Sequence, residues 1–295
     1  MASAVLHATF SLTERYVSSS DGTQIFAQAV GQPHLPTLVF VHGFALSALV
    51  WAHILHDTNL LRYFHLHTTY EDTGAVGSQR KKPTTSKLGA DDFVAVTKAF
   101  NVTKPLFIGW SLGGTYASDV LQHYGPDALS GIIWTAGLPY LAASPTVLTP
   151  WIQNIVLPAI SSVDNATLGL SIRQEFTNAL FNHPEKVPIG VLWSWLGSTT
   201  LQDPAKITFP AGPGRGNTQD PTNLFEAGKK GIPLLIINGD ADRFVIGDET
   251  VKAVKGKWKD LTVYTAKNGS HVFFYEEKEE YVCQVLRFAR RVFQV

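Results

Sequence analysis

An α/β fold with a mostly parallel central sheet, helices on its flanks and a mainly helical insertion is what this sequence predicts. Apolar runs without alternation, at residues 37–41, 106–108, 131–135 and 232–238, suit strands covered on both faces. Stretches with 3/4 apolar spacing lie between them, such as residues 91–100 with Phe93, Val96 and Phe100. From residue 138 to 226 the strand/helix alternation lapses, so the chain divides into core residues 1–137, an insertion at 138–226 and core residues 227–295.

Taken in order, residues 16–18 and 24–29 flank Ser20-Asp21-Gly22, a turn signal that predicts an opening antiparallel hairpin. The strand at 37–41 ends in His42-Gly43-Phe44, where glycine lets the chain turn sharply over the sheet edge and aim the Phe44 N–H above Ser111. Residues 63–69 read as the next strand. The glycine-rich loop after it, 71–78, lacks the Lys-Ser/Thr ending of a phosphate loop.

The strand at 106–108 leads into Gly109-Trp110-Ser111-Leu112-Gly113, the G-x-S-x-G pattern of a serine on a strained strand-to-helix turn. Gly109 and Gly113 remove side chains that would collide there. Residues 112–124 read as the following helix, stopped by Gly125-Pro126, so the Leu112 N–H lies at a helix N-terminus and can meet developing negative charge.

In the insertion, residues 151–160, 166–181 and 187–196 read as helices, followed by a loose run rich in proline and glycine at 210–216. Such an insertion usually caps the site. Trp151, Trp193 and Trp195 either line an apolar pocket or pack the insertion, and Trp110, Leu138 and Phe244 are further candidates for the pocket. The sheet resumes at 232–238 and 261–264. The last helix, 276–293, turns Tyr281, Val285, Phe288 and Val292 inward, with Cys283 expected as a packed thiol.

A serine hydroxyl needs a base that titrates near neutrality and a carboxylate to orient it. His271 follows the last strand and precedes the last helix, which puts it at the same sheet edge as Ser111. Gly239-Asp240-Ala241-Asp242 follows the strand at 232–238. Asp242, past the glycine turn, is favoured as the acid, while Asp240 is expected to bond within the turn; Asp240 and Asp248 remain alternatives.

Composition narrows the partners. Lysine plus arginine equals aspartate plus glutamate, 24 against 24, so no net field favours nucleic acid or an anionic membrane, and a small neutral or amphipathic partner is expected. The uncharged stretch 37–55 is interrupted by His42-Gly43 and reads as strand, loop and helix rather than a membrane span. A lone cysteine and an N-terminus without a basic start or long apolar run lead to the expectation of a cytoplasmic protein. His53, His56, His65 and His67 lack the companion ligands of a metal site, and neither metal nor cofactor is expected.

These pieces resemble the α/β-hydrolase fold family from about Tyr16 onward. His42-Gly43-Phe44-Ala45-Leu46-Ser47 with Trp51, the serine turn and Gly137-Leu138-Pro139 resemble its non-haem haloperoxidase and carboxylesterase-like serine hydrolases. The resemblance implies a Ser111, Asp242, His271 triad, an oxyanion hole from the N–H groups of Phe44 and Leu112, and a small ester or lactone as substrate. Ala45, often proline in that subgroup, Leu112, often methionine, and the segment before Phe225 depart from it. Use of peroxide in place of water, or a ligand receptor with vestigial hydrolysis, are the alternative readings, and the oligomeric state is not fixed by the sequence.

Overall fold

The computed structural model describes residues 10–70 and 83–295, so the glycine-rich loop at 71–78 lies outside the described residues. Its centre is an eight-stranded sheet in the order β1-β2-β4-β3-β5-β6-β7-β8. The strands are β1 (Leu12–Ser18), β2 (Gln24–Val30), β3 (Thr37–Val41), β4 (His65–Tyr70), β5 (Leu106–Trp110), β6 (Gly131–Thr135), β7 (Leu234–Gly239) and β8 (Leu261–Ala266). β1 and β2 pair antiparallel, β2 meets β4 antiparallel, and every pairing from β4 to β8 is parallel.

Every residue of β3, β5, β6 and β7 is buried, as their unbroken apolar runs require. Alternate side chains feed two cores. Leu38, Phe40, Leu106, Ile108, Ile133, Leu235 and Ile237 join the inward stripe of the last helix on one face. On the other, Val39, Val41, Phe107, Ile132, Trp134, Leu234 and Ile236 meet Phe93, Ala117, Val120 and Leu121 of the flanking helices. Each such side chain contributes about 1.5–3 kcal/mol by leaving water. The exposed edge strand β1 carries Glu14 and Arg15, charges that blunt pairing with another chain.

Several boundaries differ from the sequence expectation. The helix before β5 starts at Ser86, five residues earlier than Asp91, because Thr85 Oγ1 accepts from Leu88 N at 3.2 Å and caps it. The stretch from Trp151 is a wide π turn over Ile152–Val156 before the helix Leu157–Ile160; Pro158, without an N–H, cannot continue the regular ladder. After Ser111 a 3₁₀ turn over Ser111–Thr115 precedes the helix Tyr116–Tyr124. The final helix is Lys278–Phe293, with the separate turn Phe273–Glu276 before it.

Cys283 is a correction: it is exposed. It stands two residues from both Tyr281 and Val285, about 200° around the helix, so burying those turns it outward. The loose run at 210–216 is another. It contains a helical turn, Pro213–Gly216, whose Arg215 is fully buried. His65 and His67 share one face of β4 and bond each other, Nδ1 to Nε2 at 2.9 Å. Among the described residues no helix is long and apolar enough to cross a membrane, and no group of three or more His, Cys, Asp or Glu could hold a metal ion.

Candidate active site

Four loops leave the C-terminal ends of β3, β5, β7 and β8 along one edge of the sheet, where open α/β folds place their ligands. They carry Phe44, Ser111, Asp242 and His271.

Ser111 has φ +53°, a left-handed conformation that costs a side-chain-bearing residue energy. Bare backbone around it makes the turn possible. A Cβ on Gly109 would lie 2.6 Å from Gly114 Cα, and one on Gly113 would lie 2.4 Å from the His42 carbonyl oxygen. The second glycine therefore admits the end of β3 rather than Gly109. Leu138 N donates to the Ser111 carbonyl at 3.0 Å and fixes the turn from β6's side.

The β3 loop passes directly over the serine: a Cβ on Gly43 would stand 3.0 Å from Ser111 Cβ. Phe44 thus borders the serine on one side and Leu112 starts the turn on the other. Ala45 has φ +61°, which the proline ring cannot reach, so this loop excludes proline here.

His271 Nδ1 lies 2.8 and 3.0 Å from the two oxygens of Asp242, and both side chains are 2% exposed. A proton on Nδ1 donates to that carboxylate and leaves Nε2 as an acceptor. Asp242 Oδ1 also accepts from Phe244 N at 2.7 Å and Val245 N at 3.1 Å. The in-turn bonding expected of Asp240 belongs instead to Asp242, and Asp240 and Asp248 are both exposed. Among the described residues no hydrogen bond joins Ser111 Oγ to His271; apo geometry at such sites often tightens only with substrate.

The imidazole is gripped on its faces. Phe244 stacks on it at 4.4 Å and 13°, and Trp110 leans against it at 5.2 Å. Trp110 Nε1 donates to the His271 carbonyl at 2.9 Å, so the residue before the serine holds the backbone of His271. The loops of Asp242 and His271 also touch through glycines: a Cβ on Gly239 would lie 2.1 Å from the Gly269 carbonyl oxygen.

The candidate pocket residues separate. Trp110 at 1% and Leu138 at 2% exposure have almost no surface to offer a ligand; they support His271 and the serine turn. Trp195 is buried against Phe181 and Tyr275 in the seam between insertion and core. Trp193, 66% exposed, is a correction: two residues from Trp195 on the helix Ile189–Thr200, it is turned outward when Trp195 is buried. Half-buried Trp151 packs on Phe244 at 5.5 Å. Phe176, which the sequence did not single out, meets Phe44 at 6.3 Å and Phe244 at 5.3 Å, bridging the loops on either side of the serine.

A second group missed from sequence holds the serine's own helix. Buried Arg215 donates from Nε to Asp119 Oδ2 at 2.6 Å and lies 3.6 Å over the Tyr116 ring. Gln219 Nε2 donates to Asp119 Oδ1 at 2.6 Å and to the Thr115 carbonyl at 3.1 Å. No local pattern marked these residues, because their partners lie on the far side of the insertion.

The sequence profile of the Alpha/beta hydrolase family matches residues 38–285, and the chain belongs to that family. Among curated relatives, the pimeloyl-[acyl-carrier protein] methyl ester esterase of Sodalis glossinidius is 28% identical over 215 residues, which span 70% of this chain and 76% of that protein. The enzyme of the same name from Aliivibrio salmonicida is 31% identical over 124 residues, 41% of this chain and 42% of its own length. Of solved structures, an esterase from Rhodococcus sp. ECU1013 superposes with a TM-score of 0.77 at 21% identity, covering 93% of this chain and 98% of that one. A bromoperoxidase from Bacillus anthracis does so with 0.75 at 18% identity, over 94% and 100%. These structures share the fold.

Proposed function

We propose that the protein is a serine hydrolase that cleaves a carboxylic ester or lactone through an acyl-enzyme, without a cofactor. The observation that carries this reading is the enclosed Asp242–His271 pair at the sheet edge where Ser111 occupies a strained turn.

Ser111 Oγ attacks the ester carbonyl while His271 Nε2 takes its proton, and Asp242 holds the ring in the tautomer that exposes Nε2. Negative charge on the carbonyl oxygen is met by the N–H groups of Phe44 and Leu112; each such donor is worth about 10²–10³ in rate. The imidazolium returns its proton to the departing alcohol oxygen. Water, deprotonated by the same nitrogen, then releases the acid.

The test is steady-state hydrolysis of p-nitrophenyl esters by the native protein and by Ser111→Ala. Multiple turnovers that vanish in the variant are expected; turnover that survives it overturns the reading.

A further inference from the structure

We propose that Ser198 of the insertion is a positioning residue for the oxyanion hole: through Ser47 it holds the β3 loop that presents the Phe44 N–H. The inference rests on the hydrolase reading above.

The loop needs such a tie. Ala45, next to Phe44, sits at φ +61°, and left-handed backbone at a residue with a side chain persists only where its surroundings hold it. Two groups of the insertion reach the loop on either side of Ala45. Phe176 of the helix Ala166–Ala179 meets the Phe44 ring at 6.3 Å. Ser198, in the last turn of the helix Ile189–Thr200, has its Oγ 3.0 Å from Ser47 Oγ.

The proton count gives the serine pair a direction. Ser198 Oγ donates to the Ser194 carbonyl at 3.1 Å, so the proton between the two hydroxyls comes from Ser47. Ser47 Oγ in turn accepts from Leu49 N at 3.4 Å, where it caps the turn Ala48–Trp51. Each hydroxyl proton in this chain thus has an acceptor. The serines are 4% and 8% exposed, so solvent does not compete for the bond between them.

The insertion's end of the tie is itself anchored. Buried Arg173 donates from Nε to the Thr199 carbonyl at 3.0 Å and from Nη1 to the Gly169 carbonyl at 2.8 Å. Its positive charge meets the negative C-terminal end of the helix that carries Ser198. Because Arg173 belongs to the helix of Phe176, it locks the two helices together, and the insertion acts on the loop as one brace. Removing the Ser198 hydroxyl leaves the buried Ser47 proton without a partner. The loop then turns to find one, and the Phe44 N–H moves away from the carbonyl oxygen it serves.

The experiment measures kcat and KM on p-nitrophenyl butyrate, and inhibition by an alkyl trifluoromethyl ketone, for the native protein, Ser198→Ala, Ser47→Ala and the double variant. Ser111 Oγ bonds to the ketone carbon, its proton passes to His271 Nε2, and the carbonyl electron pair moves onto oxygen, so this inhibitor reads the oxyanion hole. Ser198→Ala should lose about tenfold in kcat with KM within about twofold, and the inhibitor should weaken by about the same factor as kcat. The double variant should lose no more than the weaker of the two single variants, since both remove the same bond. Unchanged kcat, an effect confined to KM, losses that multiply in the double variant, or an inhibitor that binds as before while kcat falls overturns the assignment. Amide hydrogen exchange supplies an arm independent of turnover. Phe44, Ala45 and Leu46 should exchange faster in folded Ser198→Ala than in the native protein, and unchanged exchange overturns the tie. Absent turnover in the native protein sinks the hydrolase reading and the positioning role with it, whereas faster exchange would still show the insertion holding the β3 loop.

Discussion

Arg215 and Asp119 form an ion pair with both side chains at 0% exposure, Nη2 to Oδ2 at 2.6 Å, joining the insertion to the helix that follows Ser111. Burying two charges is costly, and the pair is tolerable because Gln219 and the Tyr116 ring complete its shell. Arg215→Met leaves an uncompensated buried carboxylate. It should destabilise the protein by about 3–5 kcal/mol in urea unfolding, and adding Asp119→Leu should recover part of that loss. Additive losses in the double variant would show that the two residues do not act as a pair.

Asp242→Asn separates orientation from folding. An amide oxygen in place of Oδ1 still accepts from Phe244 N and Val245 N, so the loop should keep its shape. The amide favours the wrong imidazole tautomer, and kcat on p-nitrophenyl butyrate should fall by about 10⁴ with little change in melting temperature. Asp240→Asn, at an exposed position, should leave kcat within twofold.

Ala45 tests the β3 loop. At φ +61° glycine is at ease, so Ala45→Gly should keep its turnover. Ala45→Pro forces φ near −65° and displaces the Phe44 N–H; activity should drop below a hundredth of the native value. An active proline variant would remove Phe44 from the oxyanion hole.

The buried histidines of β4 make stability fall in mild acid. Burial, with the neighbouring His65, lowers His67 from its usual 6.5 to about 3, and burial also lowers His65. A group held neutral in the fold but protonated in the unfolded chain favours unfolding below its ordinary pKa. The contribution is therefore intact above pH 6.5 and is lost as pH falls from there toward 3, by at most about 1.4 kcal/mol per unit for His67. Urea unfolding of His67→Leu between pH 6.5 and 5 should show a shallower slope than the native protein.

The strands and the residues of the proposed chemistry were legible because local pattern encodes them. β3 and β6 occupy the residues that their apolar runs predicted, and His271 with Asp242 follow the strands that place them together. Arg215 is not legible from its own neighbourhood, because its burial depends on Asp119, 96 residues away. Phe176 sits on a helix whose periodicity marks an inward face but not what that face meets. Cys283 is a simpler case: two residues from Tyr281 and Val285, it lies about 200° around the helix from the buried stripe, so an apolar residue near that stripe in sequence still meets solvent.

The contact of Gly239 with Gly269 gives the Asp242 and His271 loops a common fate. Their backbones meet where even a methyl group has no room, and Ala241 N donates to the Gly269 carbonyl at 3.0 Å across the same junction. Neither loop can be lengthened, grafted or drift in sequence by itself without prising the other away. An engineer who wishes to move His271 must treat residues 239–247 and 266–271 as one inherited cassette.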